Sequence, residues 1–405
     1  MHWGTTMRCK TAATRRRRAN GALVAFAFGV TATSRASAEP IRLRAEAVAE
    51  TRAPVGLVVL EGQDKLSPWI NAEALVWAGA RTDPTADVLV LAVRMREPHG
   101  LGDLRVGRFV LTTGAVRPVQ LDGAAALARA PWGSTFEVFG GAPVVPRFAS
   151  FAYDWLAGGR VAQTIVSRAT VGVSYVQRRS HGEIADSEVG ADFAAVPVKW
   201  LDVAARAAYD VTSPGIADAI ASAAARSGPW RFELFGSHRS PSRLLPATSL
   251  FSVLGDFPSQ MVGGTVRWQA APRLDFLATG AGQTVGGEYG GNGWLRALLR
   301  LDDRGDGSLG LELRRQDVSS AKWSGVRMIG SQALPRSFRF SSEIELAFPD
   351  EPRGRGTAWP WGLLALSWRS KSGWEAAGAI EAAATPEHRF ETNALVRVSR
   401  TLEVR

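Results

Sequence analysis

The chain has 405 residues, is 46% hydrophobic and 21% charged, and carries a formal net charge of +10. A mean hydropathy of −0.04 excludes both a bundle of transmembrane helices and a disordered chain. The charge invites a nucleic-acid reading that its distribution excludes. Seven of the 48 basic residues and none of the 38 acids fall within 1–38, so the rest holds 41 basic against 38 acidic residues and no basic patch.

The first elements are those of a secretory signal. Arg15, Arg16, Arg17 and Arg18 precede an apolar run, 21–30, that is too short to span a bilayer. Ala36-Ser37-Ala38 then forms an A-x-A cleavage site. This predicts a signal peptide over 1–38, cut after Ala38. The only cysteine, Cys9, lies inside it, so 39–405 has neither a disulfide nor a thiol ligand.

Beyond residue 38 the hydrophobic pattern has a period of two, the signature of strands. Residues 41–51 alternate, although a helix also fits there. In 88–96, Leu89, Leu91, Val93 and Met95 lie on one parity and Arg94 and Arg96 on the other, with a turn at Pro98-His99-Gly100. Phe136 and Val138 flank Glu137, and 161–168 with 171–179 reads as a hairpin. Leu201 and Val203 oppose Asp202 and Arg206, and Trp230, Phe232 and Leu234 alternate with Arg231 and Glu233. Residues 238–258, with Pro241, Pro246 and Pro258, read as a long loop. Val266 and Trp268 flank Arg267, and Leu274 and Phe276 flank Asp275. The glycine-rich stretch 280–293 reads as a second loop. Leu295 and Leu299 oppose Arg296 and Arg300, and Leu309, Leu311 and Leu313 oppose Glu312 and Arg314. The clearest run is 338–348, where Phe338, Phe340, Ile344, Leu346 and Phe348 oppose Arg339, Glu343 and Glu345.

Some 18 to 22 such segments, each about ten residues long, with no linker between them, predict one all-β domain over 39–405 and exclude parallel α/β folds. A soluble sandwich would turn the apolar parity inward, and a transmembrane barrel turns it to lipid. The signal, the strand length and the Arg- and Glu-rich polar parity favour a single antiparallel transmembrane β-barrel of about 18 strands, within a range of 16–22. Trp69, Trp200, Trp230, Trp294, Trp323, Trp359 and Trp361 lie near strand ends, as interfacial girdles would. The charged residues named above, from Arg94 to Glu345, are then expected to line the lumen.

One stretch, 104–123, resembles Gram-negative outer-membrane porins. It carries Gly107-Arg108, Arg117 and Asp122-Gly123, followed by Pro131-Trp132-Gly133 and the strand 134–141. The resemblance implies an outer-membrane location, Arg108 and Arg117 at the lumen or its constriction, and Asp122-Gly123 where the chain reverses. A salt-bridge role holding a turn is the alternative for both arginines. Such barrels end in an aromatic residue, whereas this chain ends Thr401-Leu402-Glu403-Val404-Arg405. Either the last strand is 390–398 with a tail, or the insertion signal is altered.

His99, His181, His238 and His388 show no metal-ligand spacing, and no nucleophile elbow or phosphate loop is present. The expectation is no enzyme, no cofactor and no metal. Three functions share the architecture. A porin-like channel would pass small polar solutes. A pore for polysaccharide export, as in the porin partners of such systems, would add a glycan chain and a periplasmic export protein as partners. An adhesin or scaffold would have a closed lumen, with loops 238–258 and 280–293 as plug or binding surface. In each case the chain's surroundings are outer-membrane lipid.

Overall fold

A computed structural model describes residues 41–51, 55–80, 84–144, 154–240, 259–285, 287–303, 305–318, 321–351, 356–384 and 390–404. The expected signal over 1–38, and 241–258 of the expected long loop, lie outside the described residues.

The first half of the chain forms β1 (Ile41–Glu50), β2 (Val55–Ser67), β3 (Ile70–Ala80), β4 (Pro84–Arg96), β5 (Gly102–Leu111), β6 (Val119–Arg129), β7 (Ser134–Pro143), β8 (Trp155–Ile165), β9 (Ala169–Ser180), β10 (Glu183–Val198) and β11 (Leu201–Asp210). The second half forms β12 (Gly215–Ser227), β13 (Trp230–Arg239), β14 (Ser259–Ala271), β15 (Leu274–Val285), β16 (Glu288–Arg300), β17 (Gly307–Val318), β18 (Ala321–Leu334), β19 (Phe338–Pro349), β20 (Trp359–Arg369), β21 (Trp374–Ala383) and β22 (Glu391–Val404).

Each strand pairs antiparallel with its neighbours in the chain, and β22 closes on β1, with Val404 opposite Ile41 and Leu395 opposite Glu50. Closure leaves no unpaired edge, which a sheet in lipid requires. The barrel therefore has 22 strands, not about 18. The alternation leaves β10, β12 and β18 unread, because alanine, serine and glycine on both parities erase the contrast between faces. The stretch 280–293 is not a loop but the paired ends of β15 and β16, with Gly280 opposite Gly293 and Gly282 opposite Gly291. A ladder needs only backbone groups, so glycine does not break it. β22 runs on to Val404, past the expected end at Val398.

The surface is inverted relative to a soluble protein. Leu311 is 51% exposed while Glu312 beside it is 3% exposed. The same alternation exposes Leu309, Leu313, Phe340 and Ile344 on the outer face. Connections at the end where β1 begins are short, the longest being 301–306. At the opposite end they reach 144–154 and 240–258.

Candidate functional site

The interior divides into two sectors of different character. In the first, the connection 112–118 between β5 and β6 turns inward. Thr113, Ala115, Val116 and Arg117 are all buried, which is unusual for a connecting segment. Val116 packs with Phe109, Val119, Leu121, Phe139, Leu156 and Val176 in an apolar cluster inside the barrel. Gly114 has φ +50°, and a Cβ there would meet the Arg160 Cδ at 2.6 Å. A Cβ on Gly190 would meet the Ala115 Cβ at 2.7 Å, so glycine at both positions lets the segment lie flat on the wall.

Polar contacts fix the segment. The Thr113 hydroxyl donates to Glu137, which also faces Arg160 at 3.3 Å. Arg160 holds Asp192 through two bonds of 2.9 and 2.6 Å. Arg117 forms an ion pair with Glu188, and Arg178 reaches Asp186 at 2.5 Å and Glu188 at 3.6 Å. These four side chains are almost wholly buried. Two guanidiniums facing two carboxylates keep the cluster neutral, the condition for burying charge.

The porin-like stretch is thereby placed. Arg108 donates two 2.7 Å bonds to Asp122, faces Asp87 at 3.3 Å and reaches the Val88 carbonyl at 3.1 Å. Arg117 and Arg108 are thus both engaged in ion pairs that hold the chain. Asp122-Gly123 does not mark a reversal: it lies within β6, opposite Arg108 and Gly107. There Gly107, Gly123 and Gly141 stand side by side across three strands, with backbones too close for a side chain.

The second sector is the wall from β13 to β19. Arg267 and Arg300 both donate to the Asp275 Oδ2, at 3.0 and 2.8 Å. Arg296, Arg314 and Arg327 surround Glu312; Arg314 also binds Glu345 at 3.0 Å, and Arg327 pairs with Glu343. Arg231 lies 3.5 Å from Glu233, and Arg339, exposed near the 335–337 turn, lies 3.5 Å from the Ser331 hydroxyl. Elsewhere Arg94 grips Asp103 at 2.8 Å with Arg96 at 3.4 Å, Asp202 pairs with Arg226 at 2.8 Å, and Arg206 stands 3.8 Å from Asp218.

Sequence reading missed Asp87, Asp103, Arg160, Arg178, Asp186, Glu188, Asp192, Asp218, Arg226 and Arg327, which complete these pairs. The signal available was even spacing: Asp186, Glu188 and Asp192 share one parity of an alanine-rich strand. The tryptophan girdle also needs correcting. Trp69, Trp200 and Trp230 are exposed. Trp294 and Trp323 face inward beneath the guanidiniums of Arg296 and Arg314, at 4.8 and 5.3 Å. Trp361 donates from its indole nitrogen to Glu381 at 2.5 Å, and Trp359 shares its parity.

Asp350, just past the end of β19, accepts two 2.6 Å bonds from Arg315, which hold its carboxyl pKa below the ordinary value. Among the described residues no three His, Cys, Asp or Glu side chains are grouped to hold a metal ion.

Fold and surface define a class: a closed antiparallel β-barrel, apolar outside and charged within, as in outer-membrane pores. No protein-family model matches the sequence, and no curated protein does. In shape it is similar to the translocation pore of the P pilus usher PapC, with a TM-score of 0.52 at 9% identity, covering 91% of this chain and 100% of that one. PapC in an E. coli P pilus tip assembly intermediate with PapD, PapK and PapG gives 0.55 at 10% identity, over 91% of this chain and 61% of that one. Pseudomonas aeruginosa OccK5 (OpdH) gives 0.40 at 11% identity, over 91% and 98%. At these identities the likeness is one of fold, and the OccK5 score carries no argument. None of the three is a polysaccharide-export porin.

Proposed function

We propose that the protein is an outer-membrane channel that passes water-soluble solutes through its charged interior. The observation that carries this is a closed ring of 22 strands whose inner wall holds part-exposed charges of both signs. Charges stay ionised there only where water or a partner reaches them. Barrels of this size enclose more than their own side chains fill, unless a plug occupies them. The 112–118 segment narrows one side. Purified protein in a planar lipid bilayer is expected to give ohmic current steps. Correctly inserted but silent protein would instead support the adhesin or scaffold reading.

A glycan chain is the second reading of the cargo. The inward tryptophans favour it, because sugar rings stack on indole faces. Binding of oligosaccharides that quenches tryptophan emission and blocks current would separate it from free passage of small solutes.

The short connections belong on the periplasmic side and the long ones outside, the usual arrangement of such barrels. For location we propose export by the 1–38 signal. N-terminal sequencing of protein from the outer-membrane fraction is expected to start at Glu39. A mature chain that keeps Arg15, Arg16, Arg17 and Arg18 would refute this.

A further inference from the structure

We infer that the wall from β13 to β17 is an oxyanion-binding surface, and that it gives the channel a preference for anionic solutes. The preference rests on the channel reading, whereas the binding surface does not. The first observation is layering. Side-chain exposure is 47% for Arg267 and 36% for Arg300, but 7% for the Asp275 they share. It is 34% for Arg296 and 32% for Arg314, but 3% for Glu312 between them. A short carboxylate stops near the wall, while the longer arginine stem carries its head further into the lumen. At these two clusters a solute therefore meets guanidiniums above Asp275 and Glu312, while Glu233 on β13, 36% exposed, is an acid of the same wall that also reaches the lumen.

The second observation is sharing. Arg267 and Arg300 converge on one oxygen of Asp275. One carboxylate neutralises one guanidinium, so the pair keeps an excess positive charge, and its planar donor forks are only partly used. The third is register. Arg231 stands directly opposite Arg267 across β13 and β14. Like charges in that position repel, and with Glu233 beside Arg231 and Asp275 shared by Arg267 and Arg300, this group of three arginines and two acids keeps one positive charge in excess. The inward-turned sector offers no such surface, because its charges are buried and balanced. Part-exposed guanidinium forks fit carboxylate, phosphate or sulfate groups bidentately. Inside a low-dielectric wall they also raise the local anion concentration.

The test uses the whole protein and two readouts. In a potassium chloride gradient the wild-type channel is expected to be chloride-selective. Arg267→Gln combined with Arg296→Gln removes one guanidinium from each shared carboxylate and leaves Arg300 on Asp275 and Arg314 and Arg327 on Glu312, so every buried acid keeps a cation. This variant is expected to lower the chloride-to-potassium permeability ratio by at least about two-fold. Arg336→Asn, in the 335–337 turn, should leave the ratio unchanged. A wild-type channel that prefers potassium, or a variant with an unaltered ratio, overturns the anion preference and leaves the channel reading standing. The second readout needs no current. Inorganic phosphate titrated into the protein in detergent should change the emission of Trp294 and Trp323 saturably, and several-fold more weakly in the variant. Absence of a saturable change overturns the binding surface. A saturable change in a barrel that is silent in bilayers upholds the surface and overturns the channel reading.

Discussion

Leu311→Arg is expected to impair barrel assembly severely, whereas Ile329→Arg on the next strand is expected to be tolerated. Leu311 lies near the middle of β17 on the exposed apolar face, opposite Met328 on the same face. A charge on the lipid face near mid-membrane costs about 2–4 kcal/mol. Ile329 points the other way, into the interior, and stands opposite Glu343, which an arginine there would share with Arg327. Glu312→Arg would not serve as the comparison, because it would place a fourth cation among Arg296, Arg314 and Arg327. The fraction of each variant that runs as a compact, heat-modifiable species on a cold detergent gel measures assembly. Equal yields for the two, or the reverse order, would mean that the apolar parity does not face lipid.

The second large effect is expected at Arg117. Arg117→Ala leaves the buried carboxylates of Asp186 and Glu188 with Arg178 as their nearby cation. Removing one partner from a buried ion cluster costs about 3–5 kcal/mol. The 112–118 segment should detach from the wall, lowering the thermal midpoint and raising single-channel conductance. Gly114→Val should act in the same direction by a different route, since φ +50° and the nearby Arg160 side chain exclude a β-branched residue. Arg117→Met combined with Glu188→Gln removes one charge of each sign and should recover much of the stability. If conductance and melting of Arg117→Ala match the wild type, the ion cluster does not hold the segment.

Much of this architecture was legible along the chain, with exceptions that have identifiable causes. The parity of 338–348 correctly separated Phe340 and Ile344 from Glu343 and Glu345, because strand side chains alternate whatever the strand's partners are. Trp294 was misplaced in the girdle although it shares parity with Arg296. Position near a strand end suggests a girdle, but the direction of the side chain decides the face. In β5 the alternation holds as well: Leu104 and Val106 face out, and Phe109, on the other parity, enters the interior cluster opposite Leu121.

The sequence by itself determined that the chain is all-β and which parity of most strands is apolar, since both follow from local pattern and side-chain direction. Only the tertiary structure decided that 22 strands close, with β22 on β1, because closure joins residues from opposite ends of the chain. It also decided that 112–118 turns inward and that Arg267 and Arg300 share one carboxylate. Cross-strand neighbours are set by register and by the room that glycines such as Gly114 and Gly190 leave. A run of alternating residues fixes the face on which a charge lies, but not which charges from other strands will meet it there.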